Sequence, residues 1–266
     1  MTIFLRELKR NRKSFLIWTV ILVLYNIMIF AMYPSLADQA ELYQKMLEGM
    51  PKELMAAFNI GQMDFSNIIS YYGTYSYLYL LMFGSIYAML LGAGILSKEE
   101  SDKTIEFLLA KPVTRNLIVG SKMGCAFLYI FLFDLLFSVS TFALVEVYHE
   151  SAYSLKALIL LSVGALLVFY LFAAVGMLIS IFIVKAKSIY PIAIGAVMGT
   201  FILGSIGKIS EKAEGLKYLS PFEYVDANYI LTNERIDPTY LAIFAIVIIS
   251  SVVLTYVLYN KKDITV

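Results

Sequence analysis

Apolar and polar positions along this chain fall into long blocks. Six blocks approach or exceed the roughly 20 apolar residues a helix needs to cross a bilayer. They run over 15–36, 72–96, 117–147, 155–184, 189–206 and 240–259. The fifth is the weakest by length, and Gly195, Gly199 and Gly204 thin it. Small residues at such spacings let helices pack closely in lipid. No soluble domain, low-complexity linker or internal repeat interrupts the pattern, so residues 1–266 read as a single membrane domain.

Composition agrees. The chain is 60% hydrophobic and 15% charged, with mean hydropathy +0.78, whereas soluble domains are about a quarter charged. A net charge of +1 gives no overall field for nucleic acid. The single cysteine, Cys125, excludes an intrachain disulfide.

Basic residues near span ends set an orientation. Fourteen fall on one side: Arg6, Lys9, Arg10, Arg12 and Lys13; Lys98, Lys103, Lys111, Arg115 and Lys122; Lys185 and Lys187; Lys261 and Lys262. Seven fall on the other, in longer and acidic loops: Lys45, Lys52, Lys156, Lys208, Lys212, Lys217 and Arg235. Both termini are expected to be cytoplasmic. The first span is too long for a cleavable signal peptide, and no small-residue cleavage site follows it.

One cytoplasmic loop concentrates charge. The stretch 97-SKEESDKTIEFLLAKPVTRNLIVGSK-122 carries nine charged residues. Ser97 to Glu100 fits a capping box, with Ser97 as the cap. In TIEFLLA, residues 104–110, Ile105, Leu108 and Leu109 share one helical face. Pro112 ends that helix, because it lacks a backbone donor and restricts Lys111. Glu99, Glu100, Asp102 and Glu106 argue against a helix lying on anionic lipid. A protein partner with basic and apolar features suits this face.

The residues Glu99, Glu100, Thr104, Glu106, Leu108, Leu109, Pro112, Val113 and Arg115 spell E-E-x-x-x-T-x-E-x-L-L-x-x-P-V-x-R. This resembles the signature of ABC-2 type transporter permeases, the membrane subunits of ATP-binding-cassette exporters. The basic start 3-IFLRELKRNRKSFLIW-18 resembles the family's amphipathic connecting helix. The stretch 218-YLSPFEYVD-226 and the tail 260-NKKDIT-265 resemble the approach to its last span and its basic ending. The resemblance covers nearly the whole chain. It implies an all-α membrane protein of six transmembrane helices, with an N-terminal amphipathic connecting helix and a short cytoplasmic coupling helix. That coupling helix would sit in a groove on a separate ABC ATPase subunit, which binds ATP and Mg. Glu99, Glu100 and Glu106 would pair with basic residues there. Ile105, Phe107, Leu108 and Leu109 would pack into the groove or against neighbouring helices, and Pro112 and Arg115 would hold the turn into the third span. A second permease subunit, identical or sister, would complete the pathway.

No catalytic constellation is found. The fragment 204-GSIGKIS-210 has the wrong glycine spacing for a phosphate loop, and Ile209 replaces the hydroxyl residue. It reads as a helix end. The only histidine, His149, makes neither a triad nor a zinc site alone. Cys125 reads as a buried structural residue. The chain itself is expected to hydrolyse no ATP and to hold no cofactor or metal.

Asp134, near the middle of the third span, is the main intramembrane ionisable residue. Such groups are functional candidates by default. Asp134 has two readings: a substrate path or proton carrier, or a group bonded to Tyr129, Ser138 or a tyrosine of another helix. Asn26 raises the same question.

Outside, Leu42, Met46, Leu47, Met50, Leu54, Met55 and Phe58 recur at helix-like spacing and suggest interfacial helices. Pro221 and Phe222 suggest a re-entrant or packed turn. Tyr71, Tyr72, Tyr75 and Tyr77 read as interfacial anchors, with an aromatic substrate site as the lesser reading. The functional expectation is an ABC permease subunit in the cell membrane, working in export. An ion-coupled secondary transporter and a non-transporting membrane scaffold or sensor remain as alternatives.

Overall fold

The computed structural model describes residues 2–39, 42, 45–46, 49–51, 55, 67–101, 113–149, 152–183, 188–209 and 211–262, and all its regular elements are helical. The interfacial helices expected over 41–58 lie mostly outside these residues. Helix α1 spans Thr2–Ala37 without a break. Helix α2, Ile68–Tyr71, passes through a π-helical turn, Tyr72–Ser76, into α3, Tyr77–Ser101. Helix α4 spans Arg115–Tyr148 and α5 spans Leu155–Ser180. Helix α6, Ile189–Ile209, leads into 3-10 turns at Glu211–Leu219 and Glu223–Val225. Helices α7, Ala227–Asn233, and α8, Pro238–Lys261, complete the order. Six of these stretches are long and apolar enough to cross a membrane.

The expected connecting helix and first span are thus one rod. Its buried stripe runs Ile3, Glu7, Phe15, Thr19, Leu22, Asn26, Phe30 and Tyr33. Steps of three and four residues, with one of eight from Glu7 to Phe15, keep them on one face. The other face exposes Leu16, Ile17, Val20, Ile21, Leu24 and Met28, as a lipid-facing surface should.

Helix α3 is the most enclosed span and packs chiefly against α5. Small residues permit the approach. A Cβ on Gly92 would stand 2.2 Å from the carbonyl oxygen of Ala173, and one on Gly176 would stand 2.7 Å from that of Met89. The backbones therefore touch where only hydrogen fits.

Three expectations are corrected. Ser97 does not cap a new helix. It lies inside α3, 1% exposed, and its hydroxyl donates to the Ala93 carbonyl at 2.8 Å. The helix therefore runs on through Glu99 and Glu100 to Ser101. Tyr71, Tyr72 and Tyr77 are buried, not displayed at the interface. Tyr71 donates to the Ile29 carbonyl at 2.8 Å, and its ring meets Tyr33 and Tyr75. Of the three glycines in the fifth span, Gly195 and Gly199 face open space, while Gly204 is packed. A Cβ there would meet Ser220 Oγ at 2.5 Å, so Gly204 accommodates the turn that follows α6 and not a neighbouring span.

That turn is built by Phe222, buried against Phe172 and Phe201. Asp226 Oδ1 accepts from the Tyr229 amide at 2.9 Å and caps α7. Helix α7 stops at Glu234, in the left-handed region at φ 46°. Asp237 then caps α8, with Pro238 in its first turn, where a missing amide costs nothing.

Candidate transport and coupling site

Three polar clusters are distributed along the bundle. The first sits at the end carrying Thr2, Ser101, Arg115 and Lys261, here called the inner end. Lys122 of α4 is buried and donates to Glu7 Oε1 at 3.0 Å and to the Ile95 carbonyl of α3 at 2.5 Å. The other Glu7 oxygen takes Arg10 at 2.8 Å. Asn11 Nδ2 donates to the Glu7 carbonyl at 3.0 Å, and Tyr129 donates to the Leu8 carbonyl. A buried charge is tolerated only when paired and hydrogen-bonded, and both conditions are met. Three helices are joined by one ammonium group.

Close by, Arg115 begins α4. Its Nη1 donates to the carbonyls of Tyr259 at 3.2 Å, Asn260 at 3.1 Å and Lys262 at 2.7 Å. Asn260 Nδ2 also donates to Asn116 Oδ1 at 2.5 Å. The last carbonyls of a helix lack partners of their own and carry the negative end of its dipole. The guanidinium satisfies both needs and fastens the start of α4 to the end of α8. Of the other expected coupling residues, Glu99 and Glu100 occupy the last turn of α3, with side chains outside the described set. Thr104, Ile105, Glu106, Phe107, Leu108, Leu109 and Pro112 lie outside the described residues.

The second cluster is mid-bundle. Asn26 of α1 is fully buried. Its Nδ2 donates to Thr141 Oγ1 at 2.9 Å, and its Oδ1 accepts from Ser76 at 2.5 Å. Thr141 is also a partner of Tyr72. Asn26 therefore bridges α1, the π-helical turn and α4. Asp134 is 6% exposed, and its Oδ1 has no hydrogen-bond partner among the described residues. Tyr72, Tyr77 and Tyr170 lie within electrostatic reach of it, and the Tyr77 hydroxyl is likewise unpartnered among them. Tyr129, expected as a partner of Asp134, is engaged by Leu8 instead. Cys125 is buried.

The third cluster closes the outer end. Lys208 lies 3.1 Å from Glu223 and 3.2 Å from Asp226. Burial, the largest influence, holds the Glu223 carboxyl above its usual range although Lys208 pulls it down. A cavity of about 40 Å³ beside them reaches Gly73 and Thr74 of the π-helical turn, and Tyr77. Beyond it, Ser154 donates to Glu234 Oε1 at 2.5 Å and Lys156 lies 3.5 Å from Oε2; the Ser154 bond, then Lys156, holds this carboxyl below its usual range. His149 ends α4 and lies 3.5 Å from Glu146. Among the described residues no cluster of His, Cys, Asp and Glu could hold a metal.

The family model described as ABC-2 family transporter protein matches residues 1–264. The chain belongs to the ABC-2 transporter family. A search of curated proteins gave no match. An ABC-2 permease is the membrane component of its transporter and not the ATPase, and the family generally works with an ABC ATPase. Six apolar helices make this permease a multi-pass membrane protein. Sequence reasoning missed the Glu7–Lys122 pair. One signal for half of it was available: Glu7 stands four residues from Ile3 and eight from Phe15, on the face that α1 buries.

Proposed function

We propose that this permease forms half of an export pathway and takes its driving force from a separate ATPase through residues 99–115. Glu99, Glu100 and Glu106 pair with basic residues of the ATPase, which binds the ATP and Mg. Thr104, Ile105, Phe107, Leu108 and Leu109 form the docked helix, and Pro112 and Arg115 set its exit. The inner end faces the cytoplasm, so both termini are cytoplasmic. Two permease chains, identical or sister, enclose the pathway.

The observation that carries this reading is the grip of Arg115 on the last carbonyls of α8. A push on the loop preceding α4 is delivered at once to the final span. Lys122, seven residues on, passes it to α1 and α3. Coupling needs such contiguous connections between rigid elements. The test is co-purification in mild detergent with the ATPase encoded beside this gene, for wild type and for Glu100→Lys with Glu106→Lys. Capture by the wild type and loss in a folded double variant support the assignment. Equal capture, or none, removes it.

The Asp134 oxygen, without a partner among the described residues, favours a second reading, in which Asp134, with Asn26 holding the helices around it, lines the path or carries a proton. Transport that follows an imposed proton gradient at clamped ATP, and fails in Asp134→Asn, would establish ion coupling.

A further inference from the structure

The small cavity at the outer end joins two parts of the molecule. Lys208, Glu223 and Asp226 line it, and so does Tyr77 of α3. Its volume of about 40 Å³ has room for water, which needs about 10–15 Å³ and two to four polar partners. Tyr77 is 1% exposed, and its hydroxyl has no hydrogen-bond partner among the described residues. A Cβ built on Gly164 of α5 would stand 3.1 Å from that hydroxyl and 3.0 Å from Val225 Cγ1. Val225 lines the cavity as well. The polar end of the tyrosine, and not its ring alone, therefore lies beside the cavity wall.

Asp134 lies on the inward side of this hydroxyl. Its neighbour Phe133 meets Phe169 of α5, with ring centroids 5.7 Å apart. Gly164 stands five residues nearer the outer end of α5, roughly 7.5 Å along the helix. That step is about two to three hydrogen-bond lengths. Asp134 and Asp226 are both within electrostatic reach of the Tyr77 hydroxyl. The titratable groups facing Asp134 are Tyr72 and Tyr77 on one side and Tyr170 of α5 on the other. Tyr72 packs its ring 5.9 Å from that of Tyr77 and is engaged by Thr141. Tyr170 donates to the Phe127 carbonyl at 3.5 Å, nearer the inner end.

We propose that Asp134 exchanges its proton with the outer end through the Tyr77 hydroxyl and water on either side of it, the outer water being held in this cavity. This rests on the second reading above, in which Asp134 carries a proton, and adds the route. In the inward direction, the water beside Asp134 gives a proton to its carboxylate and takes the Tyr77 hydroxyl proton. The Tyr77 oxygen takes one from the cavity water, which takes one from the Glu223 carboxyl. One O–H bond forms for each that breaks, and Tyr77 is neutral before and after. The outward direction is the reverse and returns the proton to Glu223. Lys208, 3.1 Å from Glu223, keeps that carboxyl at the cavity.

The full-length permease in nanodiscs is followed by attenuated-total-reflection infrared spectroscopy. The Asp134 carboxyl stretch is the band missing in Asp134→Asn. Titration of that band locates its midpoint. Below the midpoint, a switch from light to heavy water times the exchange of the carboxyl proton. Tyr77→Phe should slow this exchange by about 100-fold, the lower end of what a positioned proton-transfer group contributes. It should unfold at the wild-type temperature or above, because the hydroxyl it loses has no partner among the described residues. Glu223→Gln should also slow the exchange, and Tyr170→Phe should not. Equal exchange in Tyr77→Phe and wild type, with a band that titrates, overturns the route and leaves Asp134 a proton carrier. Slowing by Tyr170→Phe to the same degree as by Tyr77→Phe overturns it too, since the path would then run to the inner end. A band that does not titrate removes both the route and the reading beneath it.

Discussion

Lys122 and Glu7, 115 positions apart in the chain, meet at 3.0 Å in a site from which water is excluded. The contact joins the first helix of the bundle to the fourth, and its second bond, to the Ile95 carbonyl, adds the third.

Removing one partner of a buried pair costs about 3–5 kcal/mol. Lys122→Ala should fall at the lower end, because Arg10 still compensates Glu7. Lys122→Met with Glu7→Gln should lose much less than the sum of its two single changes. Thermal unfolding of the four proteins in one detergent, analysed as a double-mutant cycle, measures the coupling.

Arg115 makes a separate prediction. Arg115→Ala should still capture the ATPase, since its described bonds go to α8, yet lose most ATP-driven transport. Arg115→Lys should recover only part, because the flexible ammonium lacks the rigid planar guanidinium that holds the donor nitrogen over the three carbonyls. If Arg115→Ala transports normally, the link from α4 to α8 carries no force.

Gly92 tests the α3–α5 contact. Replacement by Ala places a methyl group on the Ala173 carbonyl, a contact that backbone must yield to. Overpacking costs typically about 1–3 kcal/mol, and Gly92→Leu should cost more. Gly195→Ala, facing open space, should change little. Detergent unfolding midpoints compare the three.

Asp134 should separate stability from activity. An unpartnered buried polar group destabilises, so Asp134→Leu should unfold at the wild-type temperature or above it. If Asp134 serves the pathway, the same variant should lose transport. Reduced stability with normal transport would make it a structural residue.

The outer cluster titrates. Glu223 binds its proton more tightly in the folded protein than in the unfolded chain. The folded state therefore holds more protons across the interval between the two values, and stability falls as pH rises through it. The contribution is fully present below the unfolded value, in the ordinary carboxylate range, and lost above the folded one. Glu223→Gln should flatten this part of the stability profile, read by unfolding at a series of mildly acidic pH values.

The spans were legible because lipid imposes a simple requirement, about 20 apolar residues for each helix. Five of the six expected stretches differ from the helices by only a few residues at each end, and the first sits inside a helix that starts well before it. The polar contacts were harder to read. Lys122 looks like any basic residue near a span end until Glu7 is placed beside it. Ser97 carries a capping pattern, but its hydroxyl also satisfies a carbonyl four residues back, and the helix continues. The tyrosines at 71–77 suit an interface by chemistry alone. Burial by α1 and the turn geometry move them inside, and neither is written locally. Arg115 was marked by its motif, whereas its partners at the far end of the chain were not.

The unbroken course of α1 has a mechanical meaning. At about 1.5 Å per residue its 36 residues make a rod roughly 54 Å long, set against a hydrocarbon core about 30 Å thick. Roughly 24 Å must stand clear of that core or be taken up by tilt. Glu7 rides near its inner tip, pinned to Lys122. Any change in the tilt of the span is then enlarged at this tip, like the short swing of a mast seen at its head.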